Sequence, residues 1–371
     1  MLVALLATAS ALVPFGAANA AYRFSDFQGK PPVHVYRSAE KAPSGVTPAE
    51  IKKIYNLPAT GGKGTIALID AYDDVNMESD LAAFDKQFNL PACTMANGCF
   101  EKHKMATSTA SNSGWAMETS LDVEWAHAIA PNAKILLVEA KTPSGANLMS
   151  AVDYAAARKD VVAVSMSWGG AEFSDELAED SHFVGKASSS VAFFASSGDD
   201  GTGASWPASS PNVIGVGGTS LELASSGTLI AESAWSGSGG GVSAYEKEPA
   251  WQTAYKISKA NGMRAIPDVS YDADPASGYP VYLTTGTGSK AKGSWNTVGG
   301  TSAGSPQWAA IQALGGTAAL DKFYTDKAST STLKFFRDIT SGSNGTCKYY
   351  CDARKRYDYV TGLGSPQTTR F

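Results

Sequence analysis

Short apolar runs alternate with stretches of helical spacing along most of this chain. Thr65–Asp70, Lys134–Glu139, Val161–Ser167 and Val191–Ser196 have the length and composition of buried strands. Between them, Asp80–Phe88 places Leu81, Phe84 and Phe88 on one helical side, and Ala146–Lys159 and Asp175–Lys186 read as further helices. Continuous apolar strands separated by helices predict an α/β fold, a parallel sheet covered on both faces. In such sheets chemistry gathers at the carboxyl ends of the strands. Residues 21–50 are polar and proline-containing without clear periodicity, and read as an irregular arm. Length allows one large domain or two smaller ones; with no repeat and no low-complexity linker, a single domain is expected.

One segment stands out against this background. Val298-Gly299-Gly300-Thr301-Ser302-Ala303-Gly304-Ser305-Pro306 runs into the apolar Gln307–Ile311, so two glycines and a threonine deliver Ser302 to the first turn of a buried helix. A hydroxyl there lies near free backbone N–H groups and the positive end of the helix dipole. That placement suits a nucleophile attacking a carbonyl whose oxygen becomes an anion. A helix-capping serine is the ordinary alternative. Gly-Thr-Ser occurs a second time, at Gly218-Thr219-Ser220, but an apolar strand-like run flanks it and no helix follows, so Ser220 reads as structural.

Three acids accompany the serine. Gly114–Ala126 has helical periodicity, and Glu118 and Asp122 stand four residues apart on one face. Like charges there oppose a helix unless they share a proton. Met117, Leu121, Trp125 and Ala126 beside them argue for a half-buried pair titrating as a unit rather than a solvated acidic face. Asp199, in Ser197-Gly198-Asp199-Asp200-Gly201, directly follows the Val191–Ser196 run. It is either part of a common Gly/Asp turn or a carboxylic acid able to donate to an oxyanion.

Composition narrows the picture. The chain has 371 residues, is 43% hydrophobic and 18% charged, and contains 37 Gly, which is a core-rich globular composition. A net charge of −5 and the lack of a basic cluster argue against nucleic acid as a partner. Residues 1–20 are apolar and end in Ala18-Asn19-Ala20, resembling a secretory signal peptide, and no other apolar stretch is long enough to span a bilayer. A secreted, extracellular, monomeric protein is expected. Cys93/Cys99 and Cys347/Cys351 form two close pairs, which in an exported chain suggest two local disulfide loops rather than zinc sites.

Taken in order, these segments resemble the sedolisin family of serine-carboxyl peptidases, acid-acting relatives of the subtilisin fold. The resemblance runs from about Gly61 to Pro366 and adds four segments to those above. These are Ser165-Met166-Ser167-Trp168-Gly169, Val216-Gly217-Gly218-Thr219, Pro267-Asp268-Val269-Ser270 and Tyr357–Gly364. It implies a peptidase domain over 61–371 preceded by an arm over 21–60, with Ser302 as nucleophile and Glu118 as its base. Asp122 would orient Glu118, and a protonated Asp199 would serve the oxyanion. Such a set needs some carboxyls ionised and others protonated, which favours pH near ordinary carboxyl values of about 4. Protein or peptide would be the substrate, and endopeptidase and tripeptidyl-peptidase activities stay open.

The resemblance also implies one calcium ion, held by the side chains of Asp338 and Asp358 and the carbonyl of Ile339. Arg354 and Arg356 stand where two further carbonyls usually come from glycines. The family usually carries a long N-terminal prosegment, and an arm of about forty residues is too short to fold as one. Two rivals remain. A Ser/His/Asp peptidase would use Asp70 and one of His34, His103, His127 and His182, none in a recognisable histidine motif. A silent binding protein on the same scaffold would keep the fold without the chemistry.

Overall fold

The computed structural model describes residues 22–369 apart from 108–109, 189, 317–318 and 326–334, so the signal-peptide expectation over 1–20 lies outside the described residues. At its centre is an eight-stranded sheet in which Thr65–Ala71 lies between Val161–Met166 and Lys134–Ala140. Phe100–Lys104 flanks the second of these; on the other side follow Ala192–Ser196 and Ile214–Leu223, the latter also pairing with Val269–Asp272. All these pairings are parallel, and Leu229–Ala234 closes the sheet as an antiparallel edge.

The strands read as continuous apolar runs because both faces are buried. Side chains alternate across a strand, so Ile66, Leu68, Ile135 and Leu137 enter one hydrophobic cluster while Ala67, Ile69, Leu136 and Val138 enter the other. The first cluster packs under helices Met77–Phe88, Ser113–Ile129 and Gly304–Ala313, the second under Gly145–Ala156. Helix Ser113–Ile129 touches the central sheet, both neighbouring helices and strand Tyr279–Thr285, which leaves it almost wholly buried. Asn112 caps it, accepting from the N–H groups of Gly114 at 3.0 Å and Trp115 at 3.1 Å.

Two expectations are corrected. Asp175–Lys186 is not a helix but two 3₁₀ turns, Glu176–Ala178 and Asp180–His182. Glu176 turns inward there and accepts from the Phe173 N–H at 2.9 Å. The arm is also more regular than its composition suggests. It contains strand His34–Glu40, paired antiparallel with Lys292–Gly299, and helix Pro48–Ile54, capped by Thr47 and Glu50. Cys93–Cys99 and Cys347–Cys351 are both disulfides.

The interior is rich in carboxyl groups that burial pushes up: Asp80 to about 6, Asp85 and Glu139 to about 7, Glu246 to about 8. A carboxyl whose folded pKa is raised contributes stability in full below its unfolded pKa of about 4, and that stability is lost as pH rises through the folded value. Asp160, held near about 2 by its bond to Arg158, works in the opposite direction and weakens the fold only in strong acid. The melting temperature is therefore expected to be highest near pH 4 and to fall steadily toward pH 8 in scanning calorimetry. A maximum near neutrality contradicts this balance.

Candidate active site

Ser302 lies in a 3₁₀ turn, Thr301–Ala303, immediately before helix Gly304–Ala313, one step ahead of the first helical turn expected for it. Gly300 makes the approach possible. Its φ of +129° is a conformation that side-chain-bearing residues rarely adopt, and a Cβ there would strike the carbonyl of Pro32 and the carboxyl of Asp199. Gly304 and Ser305 fit the packing. Ser305 Oγ lies 2.8 Å from Ser165 Oγ, tying the helix to the central sheet.

Behind the serine stand Glu118 and Asp122, both fully buried on the inward face of helix Ser113–Ile129. Burial raises both pKa values well above the ordinary carboxyl range, and the charge of Asp70 raises them further. The two act on each other as one buried pair, so they hold their protons in common. The Ser167 hydroxyl donates to Asp122 at 2.8 Å and lies 3.2 Å from the Ser302 carbonyl. This fixes the dyad against the serine turn. Ser302 sits close enough to Glu118 to favour its ionised form, yet its hydroxyl donates to the Pro32 carbonyl at 2.7 Å.

Asp199 completes the group. Its Oδ1 accepts from the Thr301 N–H at 2.8 Å and the Thr301 hydroxyl at 2.7 Å, while Oδ2 lies 3.1 Å from His34 Nε2. Burial raises its pKa, and the contacts with His34 and Thr301 hold part of that rise back. The structure thus brings Ser302, Glu118, Asp122 and Asp199 into one cluster with Asp70, Ser167 and His34. Asp70, the acid of the Ser/His/Asp alternative, is buried at the end of strand Thr65–Ala71 and faces the dyad electrostatically. Its position at a strand's carboxyl end was the available signal. Nothing in the sequence pointed to Pro32, and His34 stood only among the histidines of the Ser/His/Asp alternative; both arrive from the far end of the chain.

The other histidines stand elsewhere. His127 Nε2 is 2.9 Å from the Pro91 carbonyl, His182 Nδ1 is 2.8 Å from Asp153, and the His103 ring stacks on Tyr154. His34 contacts Asp199 rather than Ser302. Hence no histidine is hydrogen-bonded to the serine. Trp168 is a packed aromatic, fully buried against Phe27 and Trp206 with its indole N–H on the Ile69 carbonyl. Ser220 lies in the sheet and donates to Asp274, in keeping with a structural role.

The cleft around Ser302 already contains a peptide segment. Phe27 O accepts from Gly145 N at 3.1 Å, Gly29 N donates to Pro143 O at 2.8 Å, and Lys30 exchanges two hydrogen bonds of 3.0 and 3.1 Å with Gly169. The arm therefore lies as an added strand between residues 143–145 and 169, carrying the Pro32 carbonyl to Ser302. Beside it a cavity of about 610 Å³ remains, bordered by Lys30, Gly170, Asp199 and Ser205.

At the C-terminal end, Asp338 and Asp358 face one turn. Asp338 accepts from the Arg356 N–H and Asp358 from the Arg354 N–H, all at 3.0 Å. Arg356 keeps a φ of +69°, the conformation a glycine would supply, and both arginine side chains are exposed, Arg354 lying over the Tyr349 ring. Ile339 is buried alongside. Two carboxylates on a glycine-shaped turn, with the arginine side chains turned outward, are the oxygen type a hard cation takes, and Asp358 is also met by the N–H groups of Val360 and Thr361.

Comparison with known proteins agrees with this architecture. Residues 104–333 match the subtilase family, a family of serine peptidases, and the chain belongs to it. Within that family its likeness is to the sedolisins. It is 30% identical to sedolisin from Pseudomonas sp. (strain 101), across 86% of this chain and 60% of that protein. It is also 30% identical to kumamolisin from Bacillus sp. (strain MN-32), across 89% of this chain and 63% of that protein. The chain thus spans less than two thirds of the length of these relatives. The crystal structure of Pseudomonas sedolisin, a serine-carboxyl proteinase complexed with pseudo-iodotyrostatin, superposes with a TM-score of 0.72 at 28% identity. That match covers 89% of this chain and 96% of that one. The fold is subtilisin-like.

Gly300→Ala is expected to cost about 1–3 kcal/mol of stability, because alanine at this φ is strained and its methyl strikes Pro32 and Asp199. Urea unfolding measures it. A change within about 0.5 kcal/mol, the range of an ordinary surface substitution, contradicts the packing described.

Proposed function

We propose that this chain is an acid-acting serine-carboxyl peptidase in which Ser302 attacks a peptide carbonyl lying where the Pro32 carbonyl now lies. The observation that carries this reading is the contact between the Ser302 hydroxyl and a backbone carbonyl of a strand paired into the cleft. Glu118, while it and Asp122 hold a single proton between them, takes the Ser302 proton as the Oγ–carbon bond forms, then returns it to the leaving amine. Asp122 positions Glu118 and shares its proton, anchored by Ser167. Asp199, when protonated, donates to the oxyanion. Water then repeats the sequence on the acyl-enzyme, with Glu118 as base.

Dependence on acid follows from the charge states. Asp199 donates only while it carries a proton, and burial moves that requirement above the ordinary carboxyl range without removing it. Peptide or protein is the substrate, since the cleft takes a strand by backbone hydrogen bonds. Among the described residues no helix is long and apolar enough to cross a membrane, and the two local disulfides suit export. Assay of a denatured protein substrate from pH 3 to 8 tests the reading. Activity should peak in acid, and Ser302→Ala should lower it by on the order of 10⁴-fold. Retention of activity in that variant, or a maximum above neutrality, overturns it.

One calcium ion belongs to the same reading, held by Asp338 and Asp358 with the carbonyls of Ile339, Arg354 and Arg356. Its contribution is to stability rather than to chemistry. Chelation is expected to lower the melting temperature by roughly 5 °C, reversed by added calcium, with no such response in Asp358→Asn. A melting temperature indifferent to chelator and calcium removes the ion from this account.

A further inference from the structure

We propose that the thiol form of this chain, the form it has before any disulfide closes, holds a zinc ion between Cys93, Cys99 and His127. The site lies at the C-terminal end of helix Ser113–Ile129 and is independent of the peptidase chemistry.

Folding brings together what the sequence keeps apart. Cys93 and Cys99 bound a loop that follows helix Met77–Phe88, and His127 comes from helix Ser113–Ile129. The two sulfurs and a ring nitrogen of His127 lie within 4.8 Å of one another. Zinc takes thiolate sulfur and imidazole nitrogen at about 2.0–2.3 Å, so its ligand atoms stand roughly 3.5 Å apart. Two thiols no longer bonded to each other reach that spacing by small side-chain rotations.

The imidazole is oriented for this role. Its Nε2 meets two acceptors, the Pro91 carbonyl at 2.9 Å and Asp85 Oδ1 at 3.4 Å, so Nε2 carries the proton. The lone pair is then on Nδ1, which is buried and has no hydrogen-bond partner. Leaving a buried lone pair unmet is costly, and a metal ion meets it. Asp85 beside Nε2 is the carboxylate that zinc-bound histidines commonly carry behind the ring.

The loop is held by bonds other than its disulfide. Asn97 Oδ1 accepts from the N–H groups of Thr94 at 3.1 Å and Cys99 at 3.0 Å, and its Nδ2 donates to the Ala92 carbonyl at 2.8 Å. Cys93 N donates to Asp85 Oδ2 at 3.1 Å, and Ile135 N donates to the Cys99 carbonyl at 2.8 Å. In the thiol form both cysteines therefore keep their places beside the ring. Binding converts one zinc ion and two thiols into a dithiolate complex and two released protons. The Ala133 carbonyl, 3.8 Å from Cys99 Sγ, or a water takes the fourth position. Such an ion ties the loop directly to the helix that carries Glu118 and Asp122. Among the described residues, Cys347 and Cys351 have no third ligand so placed.

The test uses the full chain, reduced with a phosphine under nitrogen at about pH 7, with excess calcium present to occupy oxygen sites. One equivalent of cobalt(II) is added as a spectroscopic stand-in for zinc. A thiolate-to-cobalt charge-transfer band in the near ultraviolet should appear, and one equivalent of zinc should bleach it. The unreduced chain should show no band. Cys93→Ser and His127→Gln should each weaken cobalt binding at least about tenfold, whereas Cys347→Ser should leave it unchanged. The spectrum of the reduced chain without substitutions reads the ligands directly, so the result does not hang on any variant folding. Absence of the band from that chain, or a band that Cys347→Ser removes and Cys93→Ser leaves intact, overturns the site.

Discussion

Everything at this site depends on burying two carboxyl groups against each other. Glu118 and Asp122 have no exposed surface, and Asp70 adds a third buried acid beside them. Water would stabilise three charges; this interior does not, so the group retains protons well above the ordinary carboxyl range. The surrounding protein is arranged to tolerate that. Helix Ser113–Ile129 is packed on every side, and Ser167 pins Asp122 to the serine turn. The same principle extends through the interior, where Asp80, Asp85, Glu139 and Glu246 are likewise pushed upward. A molecule with so many buried acids is suited to acid in stability, and the proposed chemistry asks for the same conditions. One physical cause serves the two.

The arm gives this arrangement a direction. A carbonyl from residue 32 meets a hydroxyl from residue 302, and a histidine from the same segment reaches the buried Asp199. Backbone pairing sets the register of the segment in the cleft. The arm thus places a backbone carbonyl against the Ser302 hydroxyl by pairing into the cleft.

Much of this architecture was legible in the sequence for identifiable reasons. Strands buried on both faces appear as unbroken apolar runs, which is why Thr65–Ala71 and Lys134–Ala140 stand out. The four-residue spacing of Glu118 and Asp122 among apolar neighbours marked a pair facing the core. Strand His34–Glu40 escaped notice because its side chains are almost all exposed and it is held by backbone bonds to a partner far along the chain. The span Asp175–Lys186 misled because its spacing suits a helix, whereas the chain there forms two short 3₁₀ turns. Asp70 was visible at a strand end, yet its place beside the dyad comes from long-range packing. The Pro32 and His34 contacts were beyond reach because no local pattern encodes where a distant arm lies.

The most direct test of the central claim is to locate the protons themselves, by neutron diffraction from a crystal held near pH 4, about the ordinary carboxyl value. The account expects one deuteron shared between Glu118 and Asp122, and another on Asp199. A structure in which Glu118 and Asp122 are both ionised, or in which Asp199 carries no deuteron, would contradict it.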